Sequence, residues 1–253
     1  MSRVIDNVGK VAAFHGSCLA ESISPFQTLP NPKSQSAVAR LNFLDQTIQD
    51  WYDSLPQVSK DFRFGMSESL IPVAIGNART ELCGDDNVPR LGAELSAGDV
   101  PRPQPSYFLA YLQILYRTVG IALHRPPHIT TMARDATWLT SPSFYRACVH
   151  ATELTNLLET MLASNPELRF IDSFSTYGIF QGGVIHFVNV KSLRGALSEA
   201  HGEAGSEEVL SLISESRRRA AVHVRALSVM GRRWNNAKLL ADLLTRLDTA
   251  PNA

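Results

Sequence analysis

The residues of this chain whose type and spacing could support chemistry are histidines that lie three or four positions from another possible metal ligand. His124 and His128 are four residues apart, a spacing at which two imidazoles on one helical face can bind a metal ion. Pro126 and Pro127 lie between them, and proline breaks the helix that would align the two rings. The pattern therefore favours a histidine at the C-terminal end of a helix over a metal ligand.

A second pair, His150 and Glu153, is three residues apart on a predicted helix. One such pair without a third ligand is weak as a metal site, and an ordinary polar helix face explains it better. If the chain were a helical enzyme, the best candidate for its site would be the set His124, Arg125 and His150. No nucleophile, base and orienting group can be assembled around them. We therefore predict no catalytic residue, no metal ligand and no cofactor in this chain.

Familiar catalytic motifs are missing from the sequence. It contains no Gly-x-Ser-x-Gly elbow, no phosphate-binding Gly-x-x-x-x-Gly-Lys-Ser/Thr, and no dinucleotide-binding glycine motif after a strand. Cys18, Cys83 and Cys148 are the three cysteines, and their wide spacing supports neither a disulfide framework nor a cysteine-rich zinc site. The sequence accordingly predicts a non-enzymatic protein of a reducing compartment.

Composition and charge narrow the function further. The 253 residues are 44% hydrophobic, enough to bury a substantial core. Basic and acidic residues balance to a formal charge of zero, which removes the whole-chain attraction to nucleic acid phosphates. No apolar stretch is long enough to span a bilayer, and Met1–Glu21 lacks the apolar core of a secretory leader. These features predict a soluble intracellular protein without membrane contact.

The concentrated positive charge lies at Arg217–Arg219, with further arginines at Arg225, Arg232 and Arg233. Such a stretch could contact phosphate or serve as an import signal. Glutamates just upstream and apolar residues at helical spacing favour an ordinary solvated helix face instead.

The elements that must position these residues are predicted to be helices. Apolar residues recur at three- and four-residue spacing, and prolines end several of the patterns. The predicted helices are Val4–Ser22, the segment from Ser36 to Leu55–Pro56, Ser106–His124, the segment from Ser141 to Asn165–Pro166, Phe174–Val190, Glu207–Val229, and a last segment containing Trp234, Ala237, Leu240 and Leu244. In these amphipathic segments Trp51 and Trp234 are interpreted as core anchors.

Two segments depart from the amphipathic pattern. Phe174–Val190 is apolar almost all round, which is typical of a helix at the centre of a bundle. Its glycines are Gly178, Gly182 and Gly183. Glycine destabilises the interior of a helix, so these three predict a packing reason such as the close approach of another helix. Residues 57–105 lose periodicity and are rich in glycine, aspartate and proline, which predicts a mobile loop. The predicted fold is all-α, a multi-helix bundle of amphipathic helices around a central apolar helix, in one domain spanning 1–253.

Five blocks along the chain resemble, in order, the regulatory domain of fungal zinc-cluster transcription factors, often called the middle homology region. The tyrosine-bearing helix that runs into Leu123-His124-Arg125-Pro126 is similar to its signature helix. The other blocks are Leu41-x-x-Leu44 with Trp51 to Leu55-Pro56; Ser141 with Cys148, Ala151 and Leu157-Leu158; Phe174, Tyr177 and Phe180; and Leu227 through Trp234 to Ala237. The structural signature residues carried over are Trp51, Leu55, Pro56, Leu123, His124, Arg125, Pro126, Cys148, Trp234 and Ala237.

This resemblance implies a nuclear regulator of transcription that controls a metabolic or biosynthetic gene set, such as one of secondary metabolism. Complete family members read DNA through an N-terminal zinc cluster held by six cysteines, which this chain lacks. DNA contact is therefore expected to be indirect, with zinc involved only if a cluster precedes this segment. The expected partners are the transcription machinery, other family members, and a small-molecule effector. A non-DNA-binding protein that modulates complete members remains the alternative.

Overall fold

The computed structural model describes residues 32–55, 105–128, 132–199 and 206–249, together with 9–14 and the single positions 6 and 17. Within these residues the chain forms helices and turns and no β-strand, so the all-α prediction is confirmed. The helices with full bounds are α1 (Pro32–Asp53), α2 (Pro105–His124), α3 (Ala136–Leu139), α4 (Pro142–Ser164), α5 (Ser175–Glu199), α6 (Ser206–Met230) and α7 (Asn235–Thr249). No described helix is both long and apolar enough to cross a membrane.

Several helix ends fall where the sequence places them, but α5 continues to Glu199, nine residues past the predicted end at Val190, and α1 begins at Pro32, four residues before Ser36. Helix α2 ends at His124, immediately before the paired prolines. Helix α4 begins after Ser141, whose side chain accepts a hydrogen bond from the Phe144 amide, and it ends before Asn165. These boundaries agree with the predicted start and stop signals.

Some predictions lie partly or wholly outside the described residues. Of the predicted helix Val4–Ser22, the described positions are helical, and Val11 and Phe14 are buried. The predicted loop at 57–105 and Pro56 lie outside the described residues, apart from Pro105, which begins α2.

Helix α5 occupies the centre of the bundle and packs against α2, α4, α6 and α7. A Cβ on Gly183 would lie 2.6 Å from Leu244 Cδ1, and one on Gly182 would collide with the His223 ring. Glycine therefore allows α6 and α7 to approach the α5 backbone closely. The predicted central apolar helix is confirmed, and its glycines have the packing reason that the sequence required.

Helix α3, a single short turn of helix, was not predicted. The Asp135 side chain caps it by accepting a hydrogen bond from the Trp138 amide at 3.0 Å. The indole of Trp138 is fully buried, and its Nε1 donates to the carbonyl oxygen of His124 at 2.7 Å. Trp138 thereby gives the last carbonyl of α2 a partner that the helix itself cannot provide.

The prediction that Trp234 is a helical core anchor is wrong. Trp234 lies in the turn between α6 and α7, and 38% of its surface is exposed. Ala237, one turn further on, is the residue that packs in the core. Trp51 matches the expectation better, since it is partly buried against the core.

The arginine-rich segment is tied to neighbouring helices. Arg218 and Arg219 both donate to Glu215 at 2.8 Å, and Arg219 also donates to Thr152 on α4. Hydrogen bonds from Arg218 and, to a smaller extent, Arg219 lower the pKa of Glu215 to about 2. Arg233 donates to the carbonyl oxygen of Leu168 at 2.6 Å. Arg217 and Arg218 are exposed, as the solvated helix face favoured by the sequence requires, while Arg219 is partly buried against α4.

Candidate functional site

A cleft of about 450 Å³ opens where α1, α2 and α4 meet. Its size falls in the range of small-molecule sites in proteins, although its lining is more polar than most. The lining residues are Asp45, Gln49 and Tyr52 from α1, Tyr116 and Arg117 from α2, and Arg146, Val149, His150 and Glu153 from α4.

Asp45 and Arg146 form the first charged end of the cleft. Asp45 Oδ1 lies 2.8 Å from His124 Nε2, while Oδ2 forms an ion pair with Arg146. Burial acts to raise the pKa of Asp45, but the hydrogen bond and charge of His124 and the charge of Arg146 outweigh it, so the pKa lies below its usual value. Both carboxylate oxygens of Asp45 are therefore engaged, whereas the Arg146 side chain remains 48% exposed.

Arg117 and Glu153 form the second charged end. Arg117 Nη1 lies 2.5 Å from Glu153 Oε2. The same guanidinium lies over the rings of Tyr116 and Tyr52, at 4.5 Å and 5.4 Å from their centroids. Arg117 is therefore held on two sides, while the Glu153 side chain is 42% exposed.

An aromatic wall joins the two ends. The rings of Tyr52 and Tyr116 stack with centroids 3.9 Å apart. The Tyr116 hydroxyl donates to Gln49 Oε1 at 2.6 Å, and Tyr52 pairs with Gln113. Burial raises the pKa of Tyr116 to about 12, so its phenol is uncharged at neutral pH.

His150 lies between the two ends, with its ring pressed against the α2 backbone at Gly120. A Cβ at Gly120 would lie 2.5 Å from His150 Nε2, so only glycine admits the ring in this position. Burial, followed by the charges of Arg117 and His124, lowers the pKa of His150 to about 3. The imidazole is therefore neutral, and its buried Nδ1 makes no hydrogen bond within the described chain. The sequence suggested an ordinary polar helix face for His150, but its ring packs against α2 at Gly120.

The signature segment is an internal junction between helices. Leu123, His124, Arg125 and Pro126 are all buried. Arg125 donates to Gln181 Oε1 at 2.9 Å, to the Pro126 carbonyl at 2.8 Å, and to the Tyr177 hydroxyl at 3.3 Å. Burial lowers the pKa of Arg125, and the groups that accept its hydrogen bonds are an amide, two backbone carbonyls and a phenol hydroxyl. The segment therefore ties α2 to α1 through His124 and to α5 through Arg125.

His124, Arg125 and His150 do not share one cavity. The rings of His124 and His150 are near each other, with centroids 6.2 Å apart, but only His150 lines the cleft. Arg125 faces α5 instead. His128 is exposed while His124 is buried against Asp45, so these two imidazoles do not face one metal position. Among the described residues no three His, Cys, Asp or Glu side chains are arranged to hold a metal ion.

Two further signature residues, Cys148 and Leu55, are partly buried. Burial raises the pKa of Cys148 to about 12, so the thiol is uncharged and a poor nucleophile or metal ligand at neutral pH. It packs against the core between α4 and its neighbours. Leu55 is half-buried after the end of α1.

A separate polar network is enclosed where α4, α5 and α6 meet. Thr155 Oγ1 lies 2.8 Å from His186 Nε2 and 2.9 Å from His223 Nε2. His223 Nδ1 donates to the Ile179 carbonyl at 2.7 Å, so its Nε2 is an acceptor, and the single Thr155 hydroxyl proton is shared between this nitrogen and the Ala151 carbonyl at 2.8 Å. Burial lowers the pKa of His186 to about 3 and that of His223 to about 4. The network is a neutral, satisfied part of the core.

Sequence reasoning missed most of the cleft because its residues come from distant segments. Asp45 and Arg146, for example, are 101 positions apart in the chain. One local signal was present: Arg146, His150 and Glu153 are spaced four and three residues apart, which puts them on one face of α4.

Comparison of the chain with protein-family models, with curated proteins and with solved structures finds no match. The class of this protein is therefore described by its fold and its site alone. This is an all-α protein with a polar, charge-paired cleft on a tightly interlocked bundle.

Proposed function

We propose that this chain is the regulatory module of a transcription regulator of the fungal zinc-cluster type, acting in the nucleus on a metabolic or biosynthetic gene set. The resemblance of five ordered blocks supports this proposal. The structural observation that supports the proposal most directly is the junction at His124 and Arg125, where the signature segment joins helices.

A coupled bundle can regulate by shifting between packing arrangements. A ligand that binds one arrangement better than another moves the population toward it, by no more than the difference in its two affinities. The cleft borders α1, α2 and α4, and α2 is connected through Arg125 to the central helix α5. A ligand in the cleft can therefore affect the packing of the central helix through direct contacts between helices.

DNA contact in this proposal is indirect. The chain has three cysteines and no Cys-x-x-Cys pair, so it cannot build the six-cysteine zinc cluster of the resembled family. Zinc belongs to the proposal only if a cluster precedes this segment. The proposed partners are family members and proteins of the transcription machinery.

A reporter assay tests the proposal. The full chain is fused to a heterologous DNA-binding domain, with and without a constitutive activation domain, and reporter output is measured in a fungal host. We expect the chain to raise or restrain output several-fold relative to the unfused domains at equal nuclear abundance. Output identical to the unfused controls in both formats would overturn the proposed function.

A second candidate is a non-DNA-binding interaction protein that modulates complete family members. The outer side of α7 favours it, because Leu239, Leu243 and Leu247 recur every four residues and are exposed. Co-expression of the full chain with a complete zinc-cluster protein, followed by size-exclusion chromatography, tests this function. A heterodimer that Leu243→Glu dissociates would support it, and separate elution of the two unaltered proteins would exclude that pairing.

A further inference from the structure

We propose that the cleft between α1, α2 and α4 binds an elongated zwitterion, a molecule with an acidic group at one end, an amino group at the other, and an uncharged middle. A peptide of about three residues with free termini has this chemistry. The inference rests on the proposed function only for its regulatory meaning, since binding is a property of the chain itself.

The Arg146 end offers donors to an acidic group. Its partner Asp45 is already shared between His124 and Arg146 and is only 28% exposed, so it is less accessible to a ligand amine than Glu153, which is 42% exposed. A guanidinium has five N–H donors, and the contact with Asp45 engages Nη1. The remaining donors belong to a half-exposed side chain on the cleft wall, where a carboxylate can bind in a charge-assisted, bidentate manner.

The Glu153 end offers the opposite chemistry. Arg117 is enclosed by Tyr116, Tyr52 and Glu153 Oε2, and its side chain is largely buried. Glu153 Oε2 is buried at Arg117, while the Glu153 side chain as a whole is 42% exposed and is the more exposed member of the pair. An ammonium group can therefore bind Glu153 without displacing Arg117.

The separation of the ends and the character of the middle set the length and shape of the ligand. Arg146 and Glu153 are seven residues apart on one helix, which places their Cα atoms roughly 10 Å apart along its axis. Three extended residues cover about the same distance. Between the ends lie neutral His150, Val149 and the stacked tyrosines, which suit an apolar or aromatic centre. A dianion would be repelled at Glu153, and a dication would be repelled at Arg146.

Isothermal titration calorimetry with the full chain and the tripeptide Ala-Tyr-Ala tests this inference. The free peptide is compared with its N-acetylated and C-amidated forms, and we expect either cap to weaken binding about tenfold. In Arg146→Gln the amide cap should no longer matter, and in Glu153→Gln the acetyl cap should no longer matter. Arg225→Gln and Glu208→Gln, at exposed positions on α6, are the matched controls and should bind like the unaltered chain.

Equal affinity for free and capped peptides, or no heat from the free peptide at millimolar concentration, would overturn the inference. Circular dichroism establishes that each variant is folded. If a glutamine variant unfolds, Arg146→Lys and Glu153→Asp take its place, and these charge-retaining variants should keep the cap penalties. Failure of the unaltered chain to bind the peptide would overturn the inference and not the proposed function, whereas a silent reporter with intact binding would overturn only the proposed function.

Discussion

At the scale of single residues, the contact between Gly120 and His150 determines how closely α2 and α4 approach. Gly120→Ala should destabilise the protein by about 1–3 kcal/mol, because the new Cβ would lie 2.5 Å from the imidazole and the ring or a helix must move. Urea unfolding monitored by circular dichroism measures the change. The substitution should also weaken peptide binding, since His150 lines the cleft.

Gly195→Ala is the matched control for that substitution. Gly195 lies in α5, and no neighbouring atom comes within 4 Å of the position that a Cβ would take, so alanine should stabilise the helix by about 0.5–1 kcal/mol. Equal effects of the two substitutions on stability would contradict the close approach at Gly120.

Arg125 is buried among uncharged acceptors, which makes its planar shape more important than its charge. Arg125→Lys should destabilise the protein by about 2 kcal/mol or more, because one ammonium cannot serve Gln181, Tyr177 and the proline carbonyls together. Chemical unfolding checks this, with Arg225→Lys on the exposed face of α6 as the control, expected within about 0.5 kcal/mol of the unaltered chain. Equal stability of the two variants would show that the Arg125 contacts do not matter to folding.

At the scale of helices, the Thr155, His186 and His223 network makes the junction of α4, α5 and α6 sensitive to acid. In the folded chain the pKa is lowered to about 3 for His186 and to about 4 for His223, whereas a histidine in the unfolded chain has a pKa of about 6.5. Below about pH 6.5 the unfolded chain therefore binds more protons than the folded chain. Stability is therefore full above about pH 6.5 and decreases as the pH falls toward 4, by on the order of 2 kcal/mol per histidine at pH 5.

Urea unfolding at a series of pH values between neutral and mildly acidic tests this dependence. His223→Asn should be less stable than the unaltered chain at neutral pH but should lose less stability on acidification, because one buried proton acceptor has been removed. An unfolding free energy that does not change with pH in this range would contradict the neutral network.

Helices with local signals were predictable, and contacts between distant segments were not. The end of α2 at His124 and the start of α4 after Ser141 follow from prolines and a capping hydroxyl within a few residues. Helix α3 has no such periodic signal, since its stability depends on burial of Trp138 beneath the end of α2. Trp234 was misplaced because the turn after α6 interrupts a pattern that looks helical in sequence.

The cleft shows the same limit. The spacing of Arg146, His150 and Glu153 predicts a shared helix face, but it does not show that Asp45 and Arg117 pair with that face from other helices. Nor does the sequence distinguish a solvated histidine from one packed against glycine. Those facts depend on how α1 and α2 dock, which is decided by packing across the whole bundle.

At the scale of the whole molecule, the signature junction connects the cleft to the core. Helices α1, α2 and α4 surround the cleft, while α5 packs against α2, α4, α6 and α7. His124 and Arg125, adjacent in the chain, contact α1 and α5 respectively. A change in the cleft can thus alter the centre of the bundle without a long chain of intermediates.

Reporter output of cleft variants in the fused full chain tests most directly whether regulation acts through the cleft. Arg146→Gln and Glu153→Gln should each change output several-fold relative to the unaltered fusion, while Arg225→Gln and Glu208→Gln should leave it unchanged at equal nuclear abundance. Cleft variants that are folded, equally abundant and indistinguishable from these controls would contradict the claim that regulation acts through the cleft.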